Sequence, residues 1–180
     1  MQWYVIKESG ENDTIVDVIL DHNTTAFVAY NTTTPYVTYE NASIKTQVEA
    51  DTTEWTEGLN PRLITAQEIA DITNTTTFDG SSSKWFYFNG TGDNKQTKAS
   101  WGQGTSPYAW LFDYTNGCET SGCNTADSSN DGYWTSSPVS DYSGSAWSVF
   151  RFGTLRNYNV DSDDDFGVRP VITIDKSVLN

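Results

Sequence analysis

The strongest apolar run in the chain is Thr14-Ile15-Val16-Asp17-Val18-Ile19-Leu20. It is β-branched and apolar on both faces, which predicts a well-buried strand. Turn residues Asp21-His22-Asn23-Thr24-Thr25 follow it, and then Ala26-Phe27-Val28-Ala29-Tyr30, so the two runs are expected to form a hairpin. Asn31-Thr32-Thr33-Thr34-Pro35 reads as loop. Ile44 and Val48 stand one helical turn apart, with Lys45, Gln47 and Glu49 on the exposed positions, and predict a first helix over about residues 40–51. A second helix has a sharper start. Thr65 and Glu68 have the spacing of a capping box, in which each side chain satisfies a free backbone N–H, and Ile64 and Ile69 are placed as the hydrophobic staple across it. This helix is expected from Ala66 to about Ile72, and one so short must be held by tertiary packing.

Beyond Phe78 the pattern becomes loops and short strands. Lys84-Trp85-Phe86-Tyr87-Phe88 is strand-like, Asn89-Gly90 is a turn pair, and residues 92–104 are polar loop. Tyr108-Ala109-Trp110-Leu111-Phe112 is apolar but too short to classify by period. Residues 113–131 form a long polar excursion, and long loops in compact domains tend to be functional. Tyr133-Trp134-Thr135, Trp147-Ser148-Val149-Phe150 and residues 168–174 are the expected strands of a final antiparallel sheet. Between those apolar anchors Ser, Asp, Asn, Tyr and Arg follow no period, as they would on a rigid frame that carries a changeable surface. Trp134, Trp147, Val149, Leu155 and Val168 belong to the frame, because Trp interleaved with β-branched residues is more often core than sugar platform.

Composition narrows the function more than the fold. The hydrophobic fraction is only 36%, yet Trp, Tyr and Phe give it large apolar area, so a single globular domain over residues 1–180 is expected. The formal net charge of -14 repels a phosphate backbone, so nucleic acid is not an expected partner. An anionic membrane surface is disfavoured for the same reason, and no apolar run reaches spanning length, so no membrane insertion is expected. Residues 1–8 lack the basic-then-apolar pattern of a secretory leader. Sequons at Asn12, Asn23, Asn31, Asn41, Asn74 and Asn89 are what a chain rich in Asn and Thr produces by chance. Cys118 and Cys123 leave both a disulfide and two reduced thiols open.

Gly132-Tyr133-Trp134-Thr135-Ser136-Ser137 and Gly167-Val168-Arg169-Pro170-Val171-Ile172 carry a resemblance, together with Asp21-His22-Asn23-Thr24-Thr25-Ala26 and Arg62-Leu63-Ile64-Thr65-Ala66-Gln67-Glu68-Ile69. The chain resembles C-type-lectin-fold domains whose pattern is shared with formylglycine-generating enzymes. More narrowly it is similar to the variable proteins of diversity-generating retroelements and related phage, viral and bacterial surface modules. The resemblance implies an α+β C-type lectin fold: two helices, a twisted antiparallel sheet with its N- and C-terminal strands paired, and long loops. It also implies a ligand- or receptor-binding display protein on a virion or cell surface, with no enzymatic role, no cofactor, and an unknown protein or glycan ligand on a target surface. In such variable proteins diversity enters at adenine-containing codons, from which Lys, Glu, Gln and Met are not reached. Residues 139–166 contain none of those four.

The expected variable region covers about residues 132–170. Its candidate contact residues are Tyr142, Arg151, Arg156, Asn157, Tyr158, Asn159, Asp161, Asp163 and Asp164, on loops. Tyr and Arg supply large contact area and directional hydrogen bonds, and Asn adapts. Asp161, Asp163 and Asp165 alternate before Gly167 like the start of a calcium loop, but Ile172 stands where the closing Glu would be, and a solvated acidic loop is the plainer reading. No metal is therefore expected. Alternatives are a carbohydrate-binding module using exposed aromatics and, less favoured, a thiol oxidase. Cys118 and Cys123 have the spacing of the catalytic pair in formylglycine-generating enzymes, but here they precede the Tyr133-Trp134 motif instead of following it. His22, the lone histidine, has no nucleophile motif beside it.

Overall fold

The computed structural model describes residues 2–8, 14–33, 38–55, 59–82, 85–88, 107–112, 118–119, 122–123, 131–150 and 153–179. The first sheet holds β1 (Trp3–Glu8), β2 (Ile15–Leu20), β11 (Pro170–Asp175) and β3 (Arg62–Leu63), in the order β1-β2-β11-β3. The second holds β10 (Phe166–Gly167), β7 (Gly132–Pro138), β8 (Ser145–Phe150), β9 (Thr154–Asn159) and β4 (Phe86–Tyr87), in the order β10-β7-β8-β9-β4. A separate hairpin joins β5 (Cys118–Glu119) to β6 (Gly122–Cys123), with Cys118 and Cys123 as register partners. Two helices, α1 (Ser43–Asp51) and α2 (Ala66–Ile72), complete an α+β fold.

Both helices stand where the pattern predicts them. In α1 the buried side chains are Ile44 and Val48, and a 3-10 turn at Tyr39–Asn41 precedes the helix. In α2 the capping box is complete: Thr65 Oγ1 accepts from the Glu68 N–H at 3.0 Å, and the Glu68 carboxylate accepts from the Thr65 N–H at 2.8 Å. Glu68 also accepts from Arg62, which reaches on to Asp17 of β2 at 3.0 Å, so the cap is tied to the first sheet.

Pairing departs from expectation in four places. The hairpin partner of β2 is β1, upstream, and not residues 26–30. The other edge of β2 is taken by β11, so no edge remains for 26–30. That segment instead runs beside residues 160–168: Val28 donates to Phe166 O, Asn31 to Val160 O, and Thr24 to Val168 O, while Trp134 Nε1 caps the Val28 carbonyl at 2.8 Å. Second, β1 is a strand where none was expected, while the C-terminal β11 pairs with β2, the first strand read from the sequence, as expected. Third, residues 168–174 do not join the Trp134 and Trp147 strands in one antiparallel sheet. β11 belongs to the first sheet, and the short β10 just before this stretch joins the second, where it pairs with β7 in parallel. Fourth, residues 154–159 form the strand β9 and not a loop.

Strand alternation divides the core. Tyr133, Trp147, Val149, Leu155 and Phe86 point to one face of the second sheet, where they meet Ile19 and Val171 of the first sheet and Ile69 of α2. Trp134, Ala146 and Phe166 point to the other, where α1 contributes Ile44 and Val48. The frame residues named from sequence are all buried. Trp134 packs on Phe166 with ring centroids 4.9 Å apart and edge-on to Tyr30 at 5.6 Å, and burying a side chain of this size contributes about 1.5–3 kcal/mol.

Two glycines are dictated by close approach. A Cβ on Gly167 would lie 2.2 Å from the Thr25 carbonyl oxygen, and one on Gly132, whose φ is +147, would lie 1.9 Å from the Val149 oxygen. Between them Asn23, fully buried, donates to the Gly132 carbonyl at 3.0 Å. Burial of Asn23 and Asn31 in the folded chain also argues against using those two sequons for sugar attachment.

Candidate ligand-binding surface

Successive residues of β9 face opposite sides of the second sheet, and this sorts the candidates. Arg156 pairs with Ser148 and Tyr158 with Ala146, so both lie on the Trp134 face. Phe150 sits on that face as well. The Arg156 guanidinium carbon is 3.8 Å from the Phe150 ring centroid, 4.7 Å from Tyr158, 5.5 Å from Phe166 and 5.6 Å from Trp85. A planar cation between aromatic faces is attracted by their quadrupoles. Asp131, 3.7 Å away, balances the charge. Trp85 forms the open edge of the cluster, 45% exposed.

Tyr158 packs edge-on against Phe166 at 5.1 Å. Its hydroxyl is pushed up from its ordinary pKa, first by partial burial and then by its hydrogen bond to Asp165. The phenol therefore stays neutral and can still donate. Asn157 lies on the opposite face, where its side chain donates to Ser82 O at 2.9 Å, so it serves the frame in this structure. Asn159 is exposed at the end of β9, opposite Ser145.

Tyr142 belongs to a separate place, the turn between β7 and β8. It is 56% exposed and, with Thr38, Ser140 and Asp141, lines a cleft of about 420 Å³. That turn is anchored to residues 80–82. Ser140 bonds the Gly80 carbonyl through both its N–H and its hydroxyl, and Asp141 accepts from the Ser82 N–H at 2.7 Å. The Ser82 backbone bond holds the Asp141 carboxyl below its usual range. Val160 donates to the Gly144 carbonyl, which brings the tip carrying Asp161, Asp163 and Asp164 beside this turn. All three of those carboxylates are exposed. Arg151 lies outside the described residues.

The structure thus gathers Arg156 with Tyr158, sets Tyr142, Asn159 and the acidic tip at one end of the sheet, and turns Asn157 away. Pattern reading missed Trp85, Phe150, Phe166, Asp131 and Asp165 as neighbours of Arg156. Phe150 and Phe166 carried only an apolar signal, and their meeting depends on cross-strand register. Among the described residues no group of three His, Cys, Asp or Glu side chains could share a metal ion. His22 Nδ1 bonds Asp21 Oδ1, with no nucleophile among its described partners. No helix among the described residues is long and apolar enough to cross a membrane. Comparisons with protein-family models, with curated proteins and with solved structures each find no match.

Proposed function

We propose that this chain is a binding domain of C-type lectin-like architecture that displays a sequence-variable surface to a protein or glycan target on another surface, at a virion tip or cell exterior. The observation that carries the reading is the Arg156 cluster. A guanidinium held between aromatic rings, with Tyr158 beside it and Trp85 at its open edge, is built from the residue types that dominate binding hot spots. It rests on a frame of buried Trp134, Ala146 and Phe166, against which Phe150 and Tyr158 are packed, while Tyr142, Asn159 and the acidic tip are exposed beyond it and can be exchanged without opening the core. No reaction step is assigned to it.

The decisive experiment is genetic. A near-identical template repeat near the gene, differing from residues 132–170 at adenines, supports the reading. A segment that is uniform across sibling genomes would overturn it. A binding assay on candidate target cells gives the biochemical counterpart: Arg156→Ala with Tyr158→Ala should weaken capture at least tenfold if this face makes the contact.

The alternative of a glycan module would have to use aromatics other than Trp147, which stays in the frame. Trp147 is 0% exposed, so its ring face is not available for stacking.

A further inference from the structure

The hairpin of β5 and β6 stands apart from both large sheets as a two-stranded unit with two register pairs, Cys118 opposite Cys123 and Glu119 opposite Gly122. Only Thr120 and Ser121 separate the strands in sequence. That spacing decides the kind of each pair. A non-hydrogen-bonded pair needs ladder hydrogen bonds on both sides of it, and inside Glu119 and Gly122 only two adjacent residues remain, which cannot bond each other. Glu119–Gly122 is therefore the hydrogen-bonded pair, and Cys118–Cys123, one step further out, is the non-hydrogen-bonded one. Opposed residues share one face of a ladder, and in pairs of this kind their Cα atoms stand about 4.5 Å apart, inside the ~4.4–6.8 Å range that a disulfide spans.

The ladder has little else to hold it. A two-stranded hairpin is marginally stable at best in water. Thr120-Ser121 lacks the Gly, Asn or Asp that two-residue hairpin turns favour. Gly122 brings no side chain to set against Glu119, so the cysteines are the side-chain pair that this register supplies. We propose that Cys118 and Cys123 form an intrachain disulfide that staples the hairpin, a modification suited to an oxidising compartment. With a small disulfide such as glutathione disulfide as oxidant, the step balances. One cysteine thiolate attacks the oxidant and releases a first glutathione. The second attacks the mixed disulfide and releases another, so two thiols lose two protons and two electrons, and two glutathione thiols gain them. Opposition in register makes the second attack local, which favours closure over a bond to another chain. This inference goes beyond the display reading and uses none of its residues, so either can fail without the other.

The test incubates the folded, reduced full chain with glutathione disulfide. The chain is then denatured, treated with N-ethylmaleimide before or after reduction, and weighed intact. The expected result is no maleimide before reduction and two after it, at the mass of a single chain. Glu119 lies between the cysteines, so a glutamyl endoprotease gives a second reading: fragments cut after Glu119 stay joined until reductant is added. Two maleimides taken up without reduction, glutathione retained on the chain, or the mass of two linked chains would each overturn the bond. In the folded protein, cleavage after Glu119 should be roughly tenfold slower with the bond intact than after reduction, because local opening limits access. Equal rates would overturn the stapling role.

Discussion

Two arginines of this chain show how one side chain serves architecture in one region and presentation in another. Arg169 is fully buried. Its guanidinium donates to three main-chain carbonyls, Leu20 at 2.6 Å, Leu111 at 2.8 Å and Trp110 at 2.9 Å, and lies over the Tyr133 ring at 5.1 Å. Burial lowers its pKa and raises that of the Tyr133 hydroxyl to about 12, so near neutral pH the phenol is uncharged. Arg156, by contrast, lies among ring faces beside the Asp131 carboxylate, with its side chain 12% exposed. Directional bonds to fixed carbonyls leave Arg169 no tolerated substitute. Contacts to ring faces are less directional and individually weaker than those bonds, so their loss should cost less.

The largest effect should come from breaking the first of these. Arg169→Leu strands three carbonyls in the core and should cost about 3–5 kcal/mol, seen in urea unfolding or as failure to obtain folded protein. Arg169→Lys should not rescue it, because an ammonium cannot fork to three fixed oxygens. Gly167→Ala, two residues away, should be nearly as damaging because its Cβ meets the Thr25 oxygen. If either variant unfolds within about 1 kcal/mol of the parent chain, the knot is not structural and the contrast with Arg156 collapses.

Local signals made some of this legible and pairing hid the rest. Thr65 and Glu68 announce α2 because a capping box lies within four residues of sequence. Ile44 and Val48 reveal α1 for the same reason. Trp134 and Trp147 read as frame because β-branched neighbours surround them. Arg156-Asn157-Tyr158-Asn159 reads as loop because no position is aliphatic: one face is made of amphipathic aromatics and a guanidinium, and on the other Asn157 bonds a main-chain carbonyl. Residues 26–30 look like a strand because they are apolar, yet their hydrogen bonds go to residues 160–168, a choice that no local pattern records. Arg169 carried a motif resemblance but no sign of its three carbonyl partners, which come from β2 and from the 3-10 turn at Ala109–Leu111.

An intermediate case sharpens the comparison. Thr65→Ala removes a complete capping box and should cost about 1–2 kcal/mol, less than the Arg169 knot because the released groups lie nearer solvent. Its partner gives a pH signature. Burial alone would raise the Glu68 carboxyl, but the hydrogen bonds from Arg62 and from the Thr65 N–H outweigh it and hold the pKa below its ordinary 4.5. A folded value below the unfolded one means that this stabilisation is present above pH 4.5 and is lost as pH falls through the folded value. Stability measured against pH should therefore drop less steeply below 4.5 in Glu68→Gln than in the parent chain. Equal slopes would show that the cap network does not carry acid sensitivity.

Arg156→Ala should cost only about 1 kcal/mol in stability, the scale of a partly exposed cation–aromatic contact, while removing target capture. A loss of several kcal/mol would place Arg156 with Arg169, as architecture, and would take the display surface off this face of the sheet.

The smallest expected effect is at Tyr142. Its ring lies over Gly144 in the β7–β8 turn, which is anchored by the main chain of Ser140 and by Asp141 and not by the tyrosine. Tyr142→Ala and Tyr142→Asp should both leave the unfolding midpoint within about 0.5 kcal/mol of the parent. The two replacements test different things: alanine removes the ring, and aspartate adds charge to an acidic tip without touching the core. If both are neutral for stability while only one changes target binding, the turn is a position where side chains can be exchanged for recognition alone. If both destabilise the chain, the ring helps hold the turn, and the exchangeable surface shrinks toward Arg156 and Tyr158.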